Sequence, residues 1–375
     1  MERQDYLRPS GAAVWSKCAG YAALNAALGT EYVEETDNDI REDGTACHWL
    51  AVELWEGRPV RPGDLSPNGR EITDEMFNAV EEYHELLRSW GDTICTVLES
   101  KQPVSQYFPG VADGTPDAWR YHAAAATLHV GDFKYGFRPV EVWRNAQLIV
   151  YAWTLVCELT KGGDAPQQVV LTICQPRCAH RDGTTRSWTV SASELAELAR
   201  TLATAAQACY APNPPCTVGP QCWDCMGAYG CRSLQAAAAS ALEVSYDATP
   251  FELTEPQLGY ELSKLMQARD HIDHRINGLS MQAESLLRRG KRVPGFEMGR
   301  KVTRWRWRAG TEELVRRLGE MFNVEVMAEP RVKSVAKLRN AFPLDVQALY
   351  GEKPEGELTL RMSDPNEAIK KMGNR

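Results

Sequence analysis

The segment GTPDAWRYHAAAATLHVGDFKYG, residues 114–136, holds the residue types whose spacing carries the most chemistry. Asp117 opens one strand-like stretch, and Asp132, Phe133 and Lys134 close another. Residues two apart on a strand point to the same side, so Asp132 and Lys134 share a face while Phe133 takes the other. Two carboxylates beside an ammonium suit phosphodiester hydrolysis. Carboxylates hold divalent ions that polarise a phosphate and acidify a bound water, and an ammonium orients that water and offsets developing charge. Asp113 competes with Asp117, because GVADGTPD places two acids four residues apart. The plainer reading of Asp132 and Lys134 is a solvent-facing ion pair at a strand end, which contributes little.

Asp117 followed by Asp132-x-Lys134 resembles the pattern of the PD-(D/E)XK nuclease superfamily, and GTPDA fits that pattern better at Asp117 than at Asp113. Gln147 and Tyr151, on the helix that follows, are similar to the Q-x-x-x-Y of the RecB-like branch, and at this spacing they share a helix face. Gly44-Thr45-Ala46-Cys47-His48 resembles the G-x-x-x-H that supplies a further metal ligand there; taken alone, His48 reads as a surface or packing histidine. The resemblance implies a Mg2+ or Mn2+ dependent deoxyribonuclease. Asp117, Asp132 and His48 would bind metal, Lys134 would position water, and Gln147 and Tyr151 would orient the site or the DNA. Family analogy further implies an exonuclease acting on DNA ends, with a phage recombination or replication protein as partner.

Eleven cysteines is a high count for a chain of 375 residues, and their clustering points to metal in a reducing compartment rather than to a disulfide framework. Cys222, Cys225 and Cys231 form C-x2-C-x5-C, a spacing that gathers three thiolates around one centre. Cys216 would complete a local tetrahedral zinc site. The alternative fourth ligand is Cys18. In nucleases of the AddB kind and the CRISPR-associated adaptation nucleases, which this layout resembles, one early and three late cysteines hold a four-iron four-sulfur cluster. Both alternatives, iron-sulfur and Zn2+, stand on sequence alone. Cys47, Cys95, Cys157, Cys174, Cys178 and Cys209 read as small buried hydrophobes.

Positioning these residues takes an α/β (α+β) domain with a mixed sheet flanked by helices. Ser10 is placed to cap a helix through about 28, Gly44–Glu56 and Thr73–Trp90 read as two more, and 142–159 and 191–209 follow. Strands are expected over 93–100, 117–121, 126–133 and 167–175. From 212 to 232 the chain is rich in Pro, Gly and Cys and reads as a metal-tethered loop. A boundary near 245 divides a nuclease domain, 1–245, from a mostly helical accessory domain, 246–375. The latter has a long helix over 254–289, with Leu258, Leu262, Leu265, Ile272, Ile276 and Leu279 as packing positions, then RKVTRWRWR (300–308), a basic and aromatic hairpin suited to nucleic acid.

A formal charge of -8 argues against bulk coating of nucleic acid, so phosphate contact falls to local patches such as Arg288, Arg289, Lys291 and Arg292 with Arg300, Lys301, Arg304, Arg306 and Arg308. No apolar run is long enough for a membrane span and the start is not a signal peptide, so a cytoplasmic location, in a bacterial host cell, is expected. The order of RPS, GTxxH, GTPDA, DFKYG, N-x-QLxxYA, the cysteines and PG…GRKVTRW is similar to a phage and prophage protein family assigned to the same superfamily. Two other readings remain: a non-catalytic, metal-stapled DNA-binding or assembly protein on the nuclease fold, and a zinc-stabilised scaffold.

Overall fold

The computed structural model describes residues 6–30, 39–91, 96–244, 254–300, 306–307, 310–328, 331–332, 349–352 and 358–362. The chain forms two compact units, Met1–Gln282 and Ala283–Arg375. The boundary expected near 245 falls on residues outside the described set.

The first unit opens with a 3-10 turn at Pro9–Gly11 and the short helix α1 (Ala12–Trp15), then α2 (Tyr21–Leu28), α3 (Asp39–Trp55) and α4 (Asp74–Ser89). The single helix expected from Ser10 is therefore broken between Ser16 and Gly20. The break has a cause: the Gly20 N–H donates to Pro215 O at 2.8 Å, and a Cβ at Gly20 would lie 2.5 Å from Cys216 Sγ. The cysteine segment thus takes the space and the backbone donor that a continuous helix would need. By contrast α4 follows its sequence closely. Thr73 Oγ1 accepts from Met76 N at 3.3 Å as the N-cap, and Met76, Ala79, Val80, Tyr83 and Leu87 recur at helical spacing on its buried face.

The sheet runs in the order β1 (Val97–Leu98), β2 (Ala118–His122), β3 (Thr127–Phe133), β4 (Gln168–Cys174) and β5 (Thr185–Ser191). Only β3 and β4 pair in parallel, joined over one face by helix α5 (Ala146–Lys161). The mixed sheet flanked by helices is the expected architecture. Strand β1 is shorter than expected; of 93–100, residues 93–95, with Cys95, lie outside the described residues. Strand β5 was not anticipated. Its alternation is masked by Arg186, an inward-facing cation whose Nη1 donates to Gly183 O and Thr184 O and whose Nη2 donates to Val140 O and Gln175 Oε1. Helix α6 (Ala192–Ala208) follows, capped by Ser191, whose Oγ accepts from Glu194 N at 3.2 Å.

The strand period sorts β3 between two cores. Leu128 and Val130 join α1, α2, α5 and α6, whereas Phe133 joins α3 and α4. Gly131 faces the second layer, and Trp90 fills the space its missing side chain leaves, at 2.9 Å from where a Cβ would stand.

After two 3-10 turns, at Pro220–Asp224 and Met226–Gly230, come α7 (Arg232–Val244) and the 34-residue α8 (Glu255–Arg288). Along α8, Leu258, Leu262, Leu265, Ile276 and Leu279 are exposed, contrary to the packing expected of them. The side that docks is polar and small instead. Arg275 donates to Ala228 O and Tyr229 O, Asn277 to Trp223 O at 2.8 Å, and Gly278 lets Ala228 approach, its Cβ 2.7 Å from where one on Gly278 would stand. This docking explains why the first unit extends to Gln282.

In the second unit β6 (Phe296–Arg300) pairs antiparallel with β11 (Leu358–Met362), and β7 (Arg306–Trp307) with β10 (Gly351–Glu352); α9 (Glu312–Phe322) and the pair β8 (Met327–Ala328) and β9 (Arg331–Val332) lie between. In the expected basic hairpin, Lys301, Arg304 and Arg308 lie outside the described residues. No described helix is long and apolar enough to cross a membrane.

Gly131→Ala would drive its methyl into the Trp90 ring, an overpacking that costs about 1–3 kcal/mol. Thermal unfolding should show a lowered Tm; an unchanged Tm would mean that Trp90 is not held against β3.

Candidate functional site

Three adjacent strands deliver carboxylates to one end of the sheet. Glu99 follows the last residue of β1, Asp117 precedes the first of β2, and Asp132 and Lys134 bracket the end of β3. Antiparallel pairing places these ends together: Leu98 is opposite Ala118, and Ala118 is opposite Gly131. Helix α3 brings His48 across from the second layer, its ring edge-on to Phe133 at 5.5 Å. Helix α5 brings Gln147 in its first turn, set by Asn145, whose Oδ1 accepts from Leu148 N at 3.1 Å.

The carboxylates are held in defined orientations. Phe133 N donates to Asp117 Oδ2 at 2.7 Å, leaving Oδ1 turned to His48 Nδ1 at 3.7 Å. His48 Nδ1 also lies 3.3 Å from Glu99 Oε1. Ligand atoms of His48, Glu99 and Asp117 all fall within 4.8 Å of one another, and no other set of His, Cys, Asp and Glu among the described residues does so. Asp132 is buried. Its Oδ1 accepts from Lys134 Nζ at 2.8 Å and from Gln147 Nε2 at 3.0 Å, while Oδ2 has no hydrogen-bond partner.

Electrostatics follow from this crowding. Burial raises the Asp132 carboxyl above its usual range, and the Lys134 ammonium offsets only part of that. Lys134 is buried against its charge too, but Asp132 and Asp117 outweigh the burial and raise it further. Burial likewise opposes a charge on His48, yet Asp117 and Glu99 raise the imidazole to about 9. The acids thus call for positive charge, which a proton on His48 supplies and a divalent ion would supply better. One imidazole nitrogen with carboxylate oxygens is a donor set for a divalent metal ion.

Most of the expected residues meet here. Asp117 rather than Asp113 faces the site, since Asp113 Oδ1 is taken by Ser105, from N at 3.0 Å and from Oγ at 2.7 Å. Tyr151 lies behind the site. Its hydroxyl meets the Thr115 backbone and stands 2.7 Å from where a Cβ on Gly114 would be, so it supports the turn that presents Asp117. Glu99 was missed. The only sequence signal for it is an acid ending the strand-like TVLES, and its φ of 46° marks it further in the structure.

The cysteines form a second cluster. Cys18, at the break between α1 and α2, is buried beside Cys216, Cys222, Cys225 and Cys231. Thr217 N donates to Cys18 Sγ at 3.4 Å, and Asn25 Nδ2 reaches Cys225 Sγ at 4.0 Å. Cys216, the least buried of the five, contacts both Cys18 and Cys231, lowering the first to about 7 and the second to about 6 while its own thiol is pushed up. Cys47, Cys174, Cys178 and Cys209 are buried in packing positions as expected, and Cys157 is half-buried.

The family model that matches is described as a protein of unknown function (DUF2800), and the match spans residues 5–367. The chain belongs to this family. Among curated proteins, a search finds no match.

Titration of the protein with Mn2+ in the absence of DNA should give one site that weakens at least about tenfold in His48→Ala and in Glu99→Gln. Because His48 carries a proton until about pH 9, uptake should release a proton, and affinity should fall as pH is lowered from 9 to 7. Equal Mn2+ affinity in both variants would exclude these side chains as ligands.

Proposed function

We propose that this chain is a divalent-metal-dependent deoxyribonuclease on the RecB-like PD-(D/E)XK plan, acting on DNA ends. One observation carries the reading: Asp117, Asp132 and Lys134 converge at one sheet end with His48 and Glu99, and one oxygen of the buried Asp132 is left without a partner. A fold that used Asp132 only as structure would satisfy both oxygens, because a buried unpaired polar atom costs free energy.

His48, Glu99, Asp117 and Asp132 Oδ2 would hold Mn2+ or Mg2+. Bound there, the ion would polarise a phosphate and lower the pKa of a water. The protein's own part is orientation. Gln147 and Lys134 fix Asp132 through the same oxygen, so that Oδ2 is directed away from them. Phe133 N does the same for Asp117. Lys134 stays protonated against two carboxylates, so its role is to orient the attacking water and meet the charge that builds on phosphate, not to remove a proton. Tyr151 steadies the Asp117 turn. A module that only bound DNA would have no use for a buried carboxylate held open beside an ammonium.

For the thiols, the burial of Cys18 beside Cys222, Cys225 and Cys231 supports a four-iron four-sulfur cluster on these four, as in the nucleases this layout resembles, with Cys216 as an extra thiol at its edge. Its role is structural: it would tie the start of the chain to the segment on which α8 docks. Action on ends, a phage or prophage setting and a recombination or replication partner rest on the family resemblance.

End-labelled linear DNA should be degraded with Mn2+ or Mg2+ while closed circular DNA survives, and Lys134→Ala should lose at least about 100-fold in rate. A wild-type protein that binds Mn2+ yet leaves all DNA intact, or a Lys134→Ala variant as active as wild type, would sink the reading. For the cluster, anaerobically purified protein should carry about four iron per chain. Cys18→Ser should lose this iron and lower Tm, while Cys216→Ser keeps it; the reverse pattern would move the fourth ligand to Cys216, and zinc in place of iron would refute the cluster.

A further inference from the structure

Eleven residues, 135–145, run from the end of β3 to the start of α5, and both ends of this loop are tied to the same atom. Lys134 Nζ and Gln147 Nε2 each donate to Asp132 Oδ1, at 2.8 and 3.0 Å. Both ends of the loop are therefore anchored at the candidate site. Phe137 is three residues from Lys134 and Trp143 four from Gln147, so at about 3.6 Å per residue neither backbone position can lie more than about 14 Å from its anchoring residue.

These two aromatic rings are turned to solvent, Phe137 at 55% and Trp143 at 62% exposure. Exposure of two large rings in one short loop is costly unless something covers them. A guanidinium accompanies each ring: Arg177 lies 3.9 Å from the centroid of Phe137, and Arg144 4.8 Å from that of Trp143. Arg144 itself has a φ of 51°, a conformation that costs free energy in a residue with a Cβ.

The loop is nonetheless rigidly based. Gln175, buried, donates from Nε2 to Gly136 O at 2.8 Å and to Arg138 O at 2.7 Å, and its Oε1 accepts from Val140 N at 3.1 Å. Arg186 Nη2 closes the network by donating to Gln175 Oε1 at 2.9 Å and Val140 O at 3.0 Å. Exposed rings on a braced loop form a preorganised surface, which binds at low entropic cost.

Resting on the nuclease reading of the same site, we propose that loop 135–145 binds single-stranded DNA, with unpaired bases stacking on Phe137 and Trp143 and Arg144 meeting an adjacent phosphate. The strand that enters the site is then an unpaired end. Bases within a duplex already stack on one another and offer no free face, whereas those of a single strand stack on any aromatic ring regardless of sequence. Duplex affinity depends on cations, and this loop has few to spend: Arg138 is paired with Asp224 at 2.5 Å, and the chain as a whole is at -8.

The test is fluorescence anisotropy of labelled oligo-dT and of a blunt hairpin duplex with the full-length protein in EDTA, where no cleavage can occur. Trp143→Ala and Phe137→Ala should each weaken oligo-dT binding roughly tenfold, as expected for loss of one stacked base, with much smaller effects on the duplex. Trp143→Phe should restore most of the loss, and an unchanged circular dichroism spectrum would show that the variants fold. Failure of the wild type to bind oligo-dT, alanine variants that bind it as tightly as wild type, or equal losses on both DNAs would each overturn the proposal. Aromatic-dependent oligo-dT binding in a protein that never cleaves DNA would uphold the loop and refute the nuclease. Cleavage without such binding would do the opposite.

Discussion

The structure turns on one buried carboxylate. Asp132 stands at the end of the central strand β3, removed from water, where an uncompensated charge would cost several kcal/mol. Lys134 and Gln147 hold a single oxygen of it, and that shared oxygen joins β3 to α5. It also sets both ends of the intervening loop. Because the second oxygen has no partner, the arrangement needs charge compensation nearby, and Lys134 and His48 provide it. Position of the helix, anchoring of the loop and the unpartnered oxygen thus share one cause.

A second constraint acts at the opposite end of the chain's logic. The first helix is interrupted so that Cys18 and Gly20 can meet the segment around Cys216, and α8 then docks on the same segment through Arg275, Asn277 and Gly278. Residues some 200 positions apart in sequence are held by a segment whose only regular structure is two short 3-10 turns. Such a segment gains from a covalent or coordinate tie, as small irregular regions commonly do. Five thiols converge there, one more than a four-ligand cluster uses.

Conformational strain lies beside the candidate site. Four described residues other than glycine have positive φ, and two of them, Glu99 and Arg144, flank the site. Glu99 closes the triad with His48 and Asp117; Arg144 covers the ring of Trp143. Left-handed backbone at a residue with a Cβ persists only where neighbouring structure enforces it, and here the ends of β1 and α5 do so.

Local information in the sequence was enough for the elements whose side chains follow a simple period. Helix α4, strands β3 and β4, the body of α5 and the face shared by Asp132 and Lys134 could all be read, because helical and strand periods depend on neighbours a few residues away. The same reading failed where a distant partner decides the outcome. Strand β5 hid behind Arg186, whose inward charge is satisfied by Gln175 and Val140; the first helix broke for Cys216; and α8 docks by a glycine and two polar side chains, leaving its leucines exposed. Within the candidate site, Asp117, Asp132, Lys134, Gln147 and His48 were legible as residue types at telling intervals. Glu99, the supporting place of Tyr151 and the meeting of all five cysteines were decided by tertiary structure alone, since each depends on which strand ends and segments are brought side by side, and no local period encodes that.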